Sequence, residues 1–359
     1  MRSLNIKSGQ GDYRVDFHDS IQNLVNAVLQ TGVSAIVIDQ NVAALYRNIL
    51  HPLTDKIPVL EIPATEEEKT LAGIEKTLAF FQQNNLTRNS IVLAIGGGII
   101  QDIVTFSSHV YYRGIRWMYI PTTLLSMCDS CIGAKCGINF GAHKNQLGIF
   151  QSPAHVFISS QFTQTLSERD VRSGYGEMLK LIITGSEDLF QQYRSAFEVG
   201  FPSLGDANHF IYESLNVKKR VIEIDEYELD LRRILNYGHT FGHALESLTK
   251  YEIPHGSGVA WGLDLANFLG WRLGVTREAD FLRIHEFVMK HFRFRLSAPV
   301  DSRQLVDMTR RDKKVTQGKA NLILLREPGD LAIIPVEYDE KLYGLVDEFL
   351  KEYNVIYWD

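Results

Sequence analysis

The chain has 359 residues, of which 45% are apolar and 22% are charged, and its formal net charge is −6. This composition is typical of a globular protein with more than one core, and the negative charge gives no reason to expect a nucleic acid or an anionic membrane as partner. The N-terminal residues contain no apolar signal segment, and no apolar run reaches the roughly 18 residues of a membrane span. We therefore expect a cytoplasmic protein.

The first part of the chain alternates short β-branched runs with helical patterns. Strands are predicted at residues 34–39, 59–63, 91–95 and 116–121. Helices are predicted from Asn41, over residues 67–84, and after the glycines at 96–98. This alternation indicates a parallel sheet with helices on both faces, a Rossmann-like α/β arrangement.

The pattern changes at about Thr165, where long helical periodicities begin. Helices are predicted at residues 167–185, 186–197, 206–224, 227–250, 255–274, 277–291, 302–312 and 339–353, with a short β-rich piece at 320–325 and 331–336. We therefore expect a Rossmann-like domain at residues 1–165 and a mainly helical domain at residues 166–359. The default ligand site is a cleft between them.

A glycine-rich turn follows the strand IVLAI. Gly97 and Gly98 would allow a phosphate close to the backbone at a helix N-terminus, and Asp102 follows on that helix. The turn lacks the G-x-G-x-x-G fingerprint, so phosphate binding and a plain tight turn explain it equally well. Asp39, Thr122 and Thr123 stand at the carboxyl ends of strands, where ligands bind in open sheets.

A segment rich in glycine, lysine and asparagine covers residues 129–148. Its Lys135, Lys144 and Asn145 would suit phosphate oxygens on a flexible loop, although a solvated basic loop explains them equally well. The same region holds Cys128, Cys131 and Cys136. The C-x₂-C pair has no second half, so small buried thiols in a reducing compartment explain the cysteines better than a metal site.

Three separated residues have the chemistry of a catalytic zinc site: Glu177, His239 and His255. One carboxylate and two neutral imidazoles leave one position of a tetrahedral Zn²⁺ open for substrate. His243 stands four residues after His239, on the same helical face, and we favour a phosphate or proton partner over a metal ligand for it. Polar residues near the three candidates suggest an anionic substrate rich in oxygen: Lys180, Lys218, Glu228, Arg232 and Asn236.

Glu228, Arg232, Asn236, His239 and His243 would form one stripe on a single helix over residues 227–250. We interpret this stripe as one wall of the substrate site. A solvated polar helix face is the alternative interpretation.

Taken in order, the motifs resemble those of the 3-dehydroquinate synthases and the wider sugar-phosphate cyclase family. The resemblance runs from Asp39 to about Lys314. The motifs that carry it are VIDQNVAALY, GGGIIQD, PTTLL, DSCIGAKCGIN, HKNQLGIF, GYGEMLK, DEYELDLRRILNYGHTFGHALE, PHGSGVAWG and RRDKKV.

The resemblance implies cofactors and residues for each part of the site. It implies Zn²⁺ (or Co²⁺) on Glu177, His239 and His255, and an NAD⁺ held by Asp39, Glu66, Lys69, Gly97, Gly98, Asp102, Thr122, Thr123, Asp129 and Lys144. The substrate residues would be Lys135, Asn145, Lys180, Lys218, Glu228, Arg232, Asn236, His243 and Lys313 or Lys314. The resemblance also implies a homodimer in which Arg113 reaches the phosphate of the substrate bound to the neighbouring subunit.

The activity implied is a lyase reaction that regenerates NAD⁺. A hydroxyl is transiently oxidised, phosphate is eliminated, the hydride returns, the ring opens and an aldol closure makes the carbocycle. Lys218 and Arg232 favour a substrate carboxylate, hence 3-deoxy-arabino-heptulosonate 7-phosphate as substrate and 3-dehydroquinate as product. The alternatives are a sibling cyclase (amino-dehydroquinate, 2-deoxy-scyllo-inosose or valiolone type), a metal-dependent polyol dehydrogenase, and an idle homologue that only binds.

The chain departs from the usual family pattern at several positions, two of which are Gln101 and Ser257. Gln101 stands where the family usually has glycine, and Ser257 where it usually has glutamate. Residues that hydrogen-bond to a metal ligand fix the orientation of its side chain, so we expect the serine to loosen the orientation of His255. The departures suggest a paralogue dedicated to a secondary or surface-polysaccharide pathway.

Overall fold

The computed structural model describes residues 2–141, 143–310, 319–353 and 357–358. The chain forms two compact units. Unit 1 consists of Met1–Ser167 with Lys218–Tyr227, and unit 2 consists of Glu168–Val217 with Glu228–Asp359.

Unit 1 contains a seven-stranded sheet in the order β1-β2-β9-β6-β5-β3-β4, in which only the β1–β2 pair is antiparallel. The interior strand β5, between β6 and β3, is buried at every residue, which explains its uninterrupted apolar sequence. The strands of unit 1 are β1 (Arg2–Ile6), β2 (Tyr13–Phe17), β3 (Ala35–Asp39), β4 (Val59–Ile62), β5 (Ile91–Gly96), β6 (Arg116–Pro121), β7 (Lys135–Phe140), β8 (His143–Phe150) and β9 (His155–Ile158). Its helices are α1 (Ile21–Val28), α2 (Gln40–Leu45), α3 (Arg47–Thr54), α4 (Leu71–Gln83) and α5 (Gly98–Val110).

The predicted mixed α/β class is confirmed, with three local corrections in unit 1. β1, β2 and β9 were not predicted, and residues 135–150 form an antiparallel hairpin, β7–β8, instead of a loop. The helix expected from residue 67 begins only at Leu71. Residues 65–70 make turns instead, because Lys69 is buried in an ion pair with Asp102.

Unit 2 is mainly helical, as predicted. Its central helix, α10, is buried over every residue from Gly256 to Gly270, and most of these residues are apolar on all sides of the helix. The buried polar exceptions Asp264 and Asn267 have side-chain partners in His285 and Tyr237. The helices are α6 (Glu168–Gly185), α7 (Glu187–Ala196), α8 (Leu204–Ile222, whose last residues belong to unit 1), α9 (His239–Leu248), α10 (His255–Arg272), α11 (Glu278–His291), α12 (Ser302–Thr309) and α13 (Glu340–Glu348). The strands are β10 (Arg295–Leu296), β11 (Lys319–Glu327), β12 (Asp330–Glu337) and β13 (Tyr357–Trp358), which form the pairs β11–β12 and β10–β13.

The single helix predicted at residues 227–250 is wrong. The chain forms a 3₁₀ turn at Leu231–Asn236, and α9 begins only at His239. Gly238 lies between them with φ +79°, a left-handed conformation that ends the preceding turn. The polar residues before Gly238 are therefore not on one helical stripe with His239 and His243. Within the described residues, none of the helices combines the length and apolar character needed to cross a membrane.

Candidate metal and nucleotide sites

Glycines bring the three helices of the candidate metal site into backbone contact. A Cβ atom on Gly176 of α6 would lie 2.2 Å from the carbonyl oxygen of Gly256 on α10, and one on Gly256 would lie 1.7 Å from the carbonyl oxygen of Ser173. A Cβ atom on Gly262 of α10 would lie 2.0 Å from the carbonyl oxygen of Gly238, just before α9. Gly176, Gly256 and Gly238 each adjoin one predicted ligand, so close helix packing places those ligands together.

The predicted ligands converge with both histidines oriented toward the carboxylate. Oε1 of Glu177 lies 3.8 Å from Nε2 of His239, and Oε2 lies 3.6 Å from Nε2 of His255. The other nitrogen of each ring has an acceptor: Nδ1 of His239 lies 3.2 Å from the carbonyl oxygen of Tyr237, and Nδ1 of His255 lies 2.9 Å from Oε1 of Glu246. Ligands of a tetrahedral zinc ion stand about 3.4 Å apart, so this donor set fits a divalent cation.

The carboxylates of Glu177 and Glu246 favour a cation in this cluster, and the ammonium group of Lys180 opposes them. Nζ of Lys180 lies 2.5 Å from Oε1 of Glu177, and both side chains are buried. Burial lowers the pKa of His255, but its hydrogen bond to Glu246 and the nearby charge of Glu177 outweigh burial and raise that pKa to about 9. Surroundings that stabilise a protonated imidazole also stabilise a metal ion bound to the same ring.

A second set of ligands overlaps the first. His239, His243 and His255 present ring nitrogens that lie within 4.8 Å of one another. The two distances from Glu177 involve different carboxylate oxygens, whereas each histidine of this set offers one nitrogen, and His243 is exposed. The structure therefore brings His243 to the candidate site, where it is compatible with either a ligand or a substrate partner.

Glu246 is the site residue that sequence reasoning missed. The expected loosening of His255 by Ser257 is wrong, because Glu246 supplies the carboxylate on which His255 rests. The available signal was its position: Glu246 stands seven residues after His239, on the same face of α9. Ser257 itself is 1% exposed.

Two of the polar residues before Gly238 are hydrogen-bonded to each other in unit 2. The side-chain amide of Asn236 donates to the carboxylate of Glu228, which has a left-handed backbone with φ +60°. Arg232 is 3% exposed. Lys313 and Lys314 lie outside the described residues.

In unit 1, the turn between β5 and α5 has an open backbone. Gly97 is the N-cap of α5 and provides no side-chain cap, and a Cβ atom on Gly98 would find nothing within 4 Å. On Gly97, a Cβ atom would lie 3.0 Å from Cγ2 of Thr123. The neighbouring Thr122 donates its backbone N–H to Gly96. Helix N–H groups without a side-chain cap, beside glycines, fit the pyrophosphate of a dinucleotide.

Asp39 ends β3 and caps α2, accepting from the backbone N–H of Asn41 at 2.8 Å. Burial raises the pKa of Asp39. Its carboxylate is thus at the carboxyl edge of the sheet, where the sequence predicts it.

Most of the other predicted cofactor residues form one cluster in unit 1. Nζ of Lys69 lies 2.6 Å from Oδ2 of Asp102, and burial raises the pKa of Asp102 although the charge of Lys69 opposes this. Oε2 of Glu66 accepts from Nδ2 of Asn139 at 2.8 Å and lies 4.0 Å from Nζ of Lys144. Asn139, which was not predicted as a site residue, connects this cluster to the hairpin.

The hairpin β7–β8 carries the remaining polar residues of the 129–148 segment. Lys135 begins β7, and Lys144 and Asn145 lie near the start of β8, where Asn145 has φ +52°. The backbone N–H of Asn145 donates to Oδ1 of Asn139 at 2.9 Å. Paired strands, rather than a flexible loop, therefore fix these side chains.

Lys218 and Asp129 form a close pair. Nζ of Lys218 donates to the carboxylate of Asp129 and, at 2.7 Å, to its carbonyl oxygen. Gln101 holds the next residue: its side chain donates to the carbonyl oxygen of Ser130 at 2.7 Å and accepts from the Ser130 hydroxyl at 2.8 Å. The glutamine that departs from the family pattern thus ties α5 to the segment that carries Asp129.

Arg113 and the cysteines complete the predicted residues of unit 1, and the thiol of Cys136 donates to the carbonyl oxygen of Asp102 at 3.3 Å. Arg113 is exposed, with φ +66°, at the end of a 3₁₀ turn. Cys128, Cys131 and Cys136 are buried, and none of them belongs to a metal-type cluster of the described residues. Burial raises the pKa of Cys131 to about 12, which makes its thiol unreactive.

The sequence models of 3-dehydroquinate synthase match this chain over residues 59–173 for the N-terminal part and 174–315 for the C-terminal part. The 3-dehydroquinate synthase of Campylobacter concisus (strain 13826) is 35% identical over 337 residues, which cover 92% of this chain and 94% of that protein. A 2-deoxy-scyllo-inosose synthase, solved with carbaglucose-6-phosphate, NAD⁺ and Co²⁺, has a TM-score of 0.85 at 22% identity, covering 98% of this chain and 100% of its own. The 2-epi-5-epi-valiolone synthase of Streptomyces hygroscopicus subsp. jinggangensis 5008, solved with NAD⁺ and Zn²⁺, has a TM-score of 0.84 at 26% identity, covering 97% and 99%. The two sequence models together span more than half of the chain, which belongs to the 3-dehydroquinate synthase family.

Proposed function

We propose that this protein converts 3-deoxy-arabino-heptulosonate 7-phosphate into 3-dehydroquinate with loss of phosphate, using NAD and Zn²⁺ (or Co²⁺). The observation that carries the proposal is the convergence of Glu177, His239 and His255 in a member of this family. In this proposal residues 1–165 bind NAD, and residues 166–359 bind the metal and most of the substrate.

The residues of the chain bind and orient the reactants. When bound, the cation lowers the pKa of a substrate hydroxyl, and NAD serves as a reversible hydride acceptor. Gly97, Gly98 and the N-terminus of α5 hold the pyrophosphate, and Asp39 accepts from ribose hydroxyls. Lys180, hydrogen-bonded to Glu177, keeps a positive charge beside the reacting oxygens.

The substrate's anionic groups require cations. The buried guanidinium of Arg232 matches a carboxylate in a two-pronged geometry, which favours an acid substrate. Glu228 lies near the reacting end of the sugar in this proposal. The other substrate residues are Lys135, Asn145, Lys218, Asn236, His243 and Lys313 or Lys314.

The assembly and location belong to the same proposal. We place the protein in the cytoplasm, because three buried free thiols suit a reducing compartment. We also propose a homodimer in which the exposed Arg113 of one copy serves the substrate phosphate of the other.

A sibling cyclase is the second candidate, favoured by the TM-scores of 0.85 and 0.84 to synthases of 2-deoxy-scyllo-inosose and valiolone type. Such an enzyme would act on a neutral sugar phosphate. The buried Arg232 favours the acid substrate instead.

Product analysis tests the proposal. The protein, loaded with zinc and NAD⁺, is offered the heptulosonate 7-phosphate, sedoheptulose 7-phosphate and glucose 6-phosphate separately, and phosphate release and carbocycle mass are measured. We expect one phosphate per dehydroquinate from the first substrate and no net NADH. Phosphate from a neutral sugar alone would assign a sibling cyclase, and NADH accumulating without phosphate would assign a polyol dehydrogenase.

A further inference from the structure

The carboxylate of Glu246 holds the ring of His255 from the side opposite to Glu177. Oε1 of Glu246 lies 2.9 Å from Nδ1 of His255, and Oε2 of Glu177 lies 3.6 Å from Nε2 of the same ring. A carboxylate accepts hydrogen bonds, so the hydrogen of the neutral imidazole is on Nδ1. That tautomer places the lone pair of Nε2 on the side of Glu177, where a metal ligand needs it.

His255 depends on this contact more than His239 depends on its own acceptor. The side chain of His255 is 37% exposed and stands at the first residue of α10, whereas that of His239 is 11% exposed. Surrounding packing therefore restrains the His255 ring less, and the hydrogen bond to Glu246 supplies the missing restraint. Glu246 is itself 7% exposed, so its carboxylate has a fixed position on α9.

The backbone of α10 leaves room for this carboxylate. A Cβ atom on Gly258 would lie 3.0 Å from Oε1 of Glu246 and 3.3 Å from its Cγ. A side chain at position 258 would press on the atom that accepts from His255. The hydrogen bond between Glu246 and His255 therefore favours a glycine at position 258, where α10 packs on α9.

We propose that Glu246 is a positioning residue for the metal centre, which fixes the tautomer and orientation of His255 and thereby sets the affinity for the cation. This inference rests on the metal site of the proposed function. Outer carboxylates of this kind typically change metal affinity by about 10–100-fold when they are removed.

The experiment measures zinc affinity by competition with a chromophoric chelator, in the full-length protein and three variants. Glu246→Gln keeps the shape but loses the charge, and Glu246→Ala removes the acceptor. Glu252→Gln is the matched control, because that carboxylate accepts from Ser297 and does not contact His255. We expect affinity to fall about 10-fold in Glu246→Gln and up to about 100-fold in Glu246→Ala, with the control within twofold.

Two further readouts distinguish positioning from general structural damage. The absorption spectrum of bound Co²⁺ should change in Glu246→Gln, whereas the far-ultraviolet circular dichroism measured with excess chelator should match that of the unaltered protein. Unchanged affinity and spectrum in both Glu246 variants, or an equal loss in Glu252→Gln, would overturn the inference. If the unaltered protein binds no zinc, the metal part of the proposed function fails instead.

Discussion

Glu177 distinguishes two overlapping sets of metal ligands. It lies 3.6 and 3.8 Å from the ring nitrogens of His255 and His239, whereas the alternative set replaces it with the exposed His243. We predict that Glu177→Gln lowers zinc affinity by more than about 100-fold, because losing a ligand costs more than losing an outer partner. His243→Ala should keep its zinc affinity within about threefold of the unaltered protein, and its kcat/KM should fall. Chelator competition and steady-state kinetics measure both effects.

Glu177 also neutralises Lys180, which complicates the first variant. Removing one partner of a buried ion pair typically costs about 3–5 kcal/mol, so Glu177→Gln needs a folding control. Glu177→Asp keeps the charge for Lys180 but shortens the reach to the metal, and should lose zinc while remaining folded by circular dichroism. The reverse ranking, with zinc lost in His243→Ala and kept in both Glu177 variants, would assign the three histidines as the ligands.

Backbone contacts between helices carry this geometry at the scale of the elements. At Gly256 on α10 a Cβ atom would lie 1.7 Å from the carbonyl oxygen of Ser173 on α6, too close without separating the helices. We predict that Gly256→Ala costs about 1–3 kcal/mol of unfolding free energy or more, and weakens zinc binding because Glu177 and His255 move apart. Urea denaturation and chelator competition measure the two losses.

The control for that variant is Gly344→Ala in α13. A Cβ atom there would find nothing within 4 Å, so alanine should stabilise the helix by about 0.5–1 kcal/mol and leave zinc affinity unchanged. If Gly256→Ala were as stable as the control, the close approach of α6 and α10 would not determine the position of the ligands.

Local patterns predict elements well where one period dominates, and fail where a long-range contact decides. The apolar run at 91–95 and the periodicity at 255–274 correspond to β5 and α10 within two residues at each end. The start of α4 was misplaced because Lys69 turns inward to a distant partner, Asp102, which no local pattern reveals. The helix predicted at residues 227–250 is wrong because Gly238 has a left-handed conformation, which the periodicity does not reveal.

The same distinction applies to the candidate site. The candidate ligands Glu177, His239 and His255 are visible in the sequence, because one carboxylate and two imidazoles suit a catalytic zinc ion. Glu246 is not visible, because its partner depends on how α9 and α10 pack at Gly242 and Gly258. The role of Gln101 is equally invisible in the sequence, because its partner Ser130 stands 29 residues away.

At the scale of the whole molecule, the chemistry is divided between the two units. The residues predicted for the metal lie in unit 2 on three helices, and the glycines and carboxylates predicted for NAD lie in unit 1. Each ligand should therefore stabilise a different part of the chain, and mass action fixes the size of the effect. A ligand at 100 times its dissociation constant stabilises the folded state by about 2.7 kcal/mol.

We predict that removing the metal destabilises unit 2 locally. Zinc at about 100 times its dissociation constant should slow hydrogen exchange in α6, α9 and α10, and a chelator should reverse this, because these helices carry the proposed ligands. NAD⁺ should instead protect the first turn of α5, whose N-cap Gly97 provides no side-chain cap. Exchange followed by mass spectrometry, with zinc, NAD⁺ or both, gives the two patterns. Zinc that protected β5 and α5 as strongly as α6 would place the cation outside the three helices, since a bound ligand slows exchange most where its own contacts restrain the backbone.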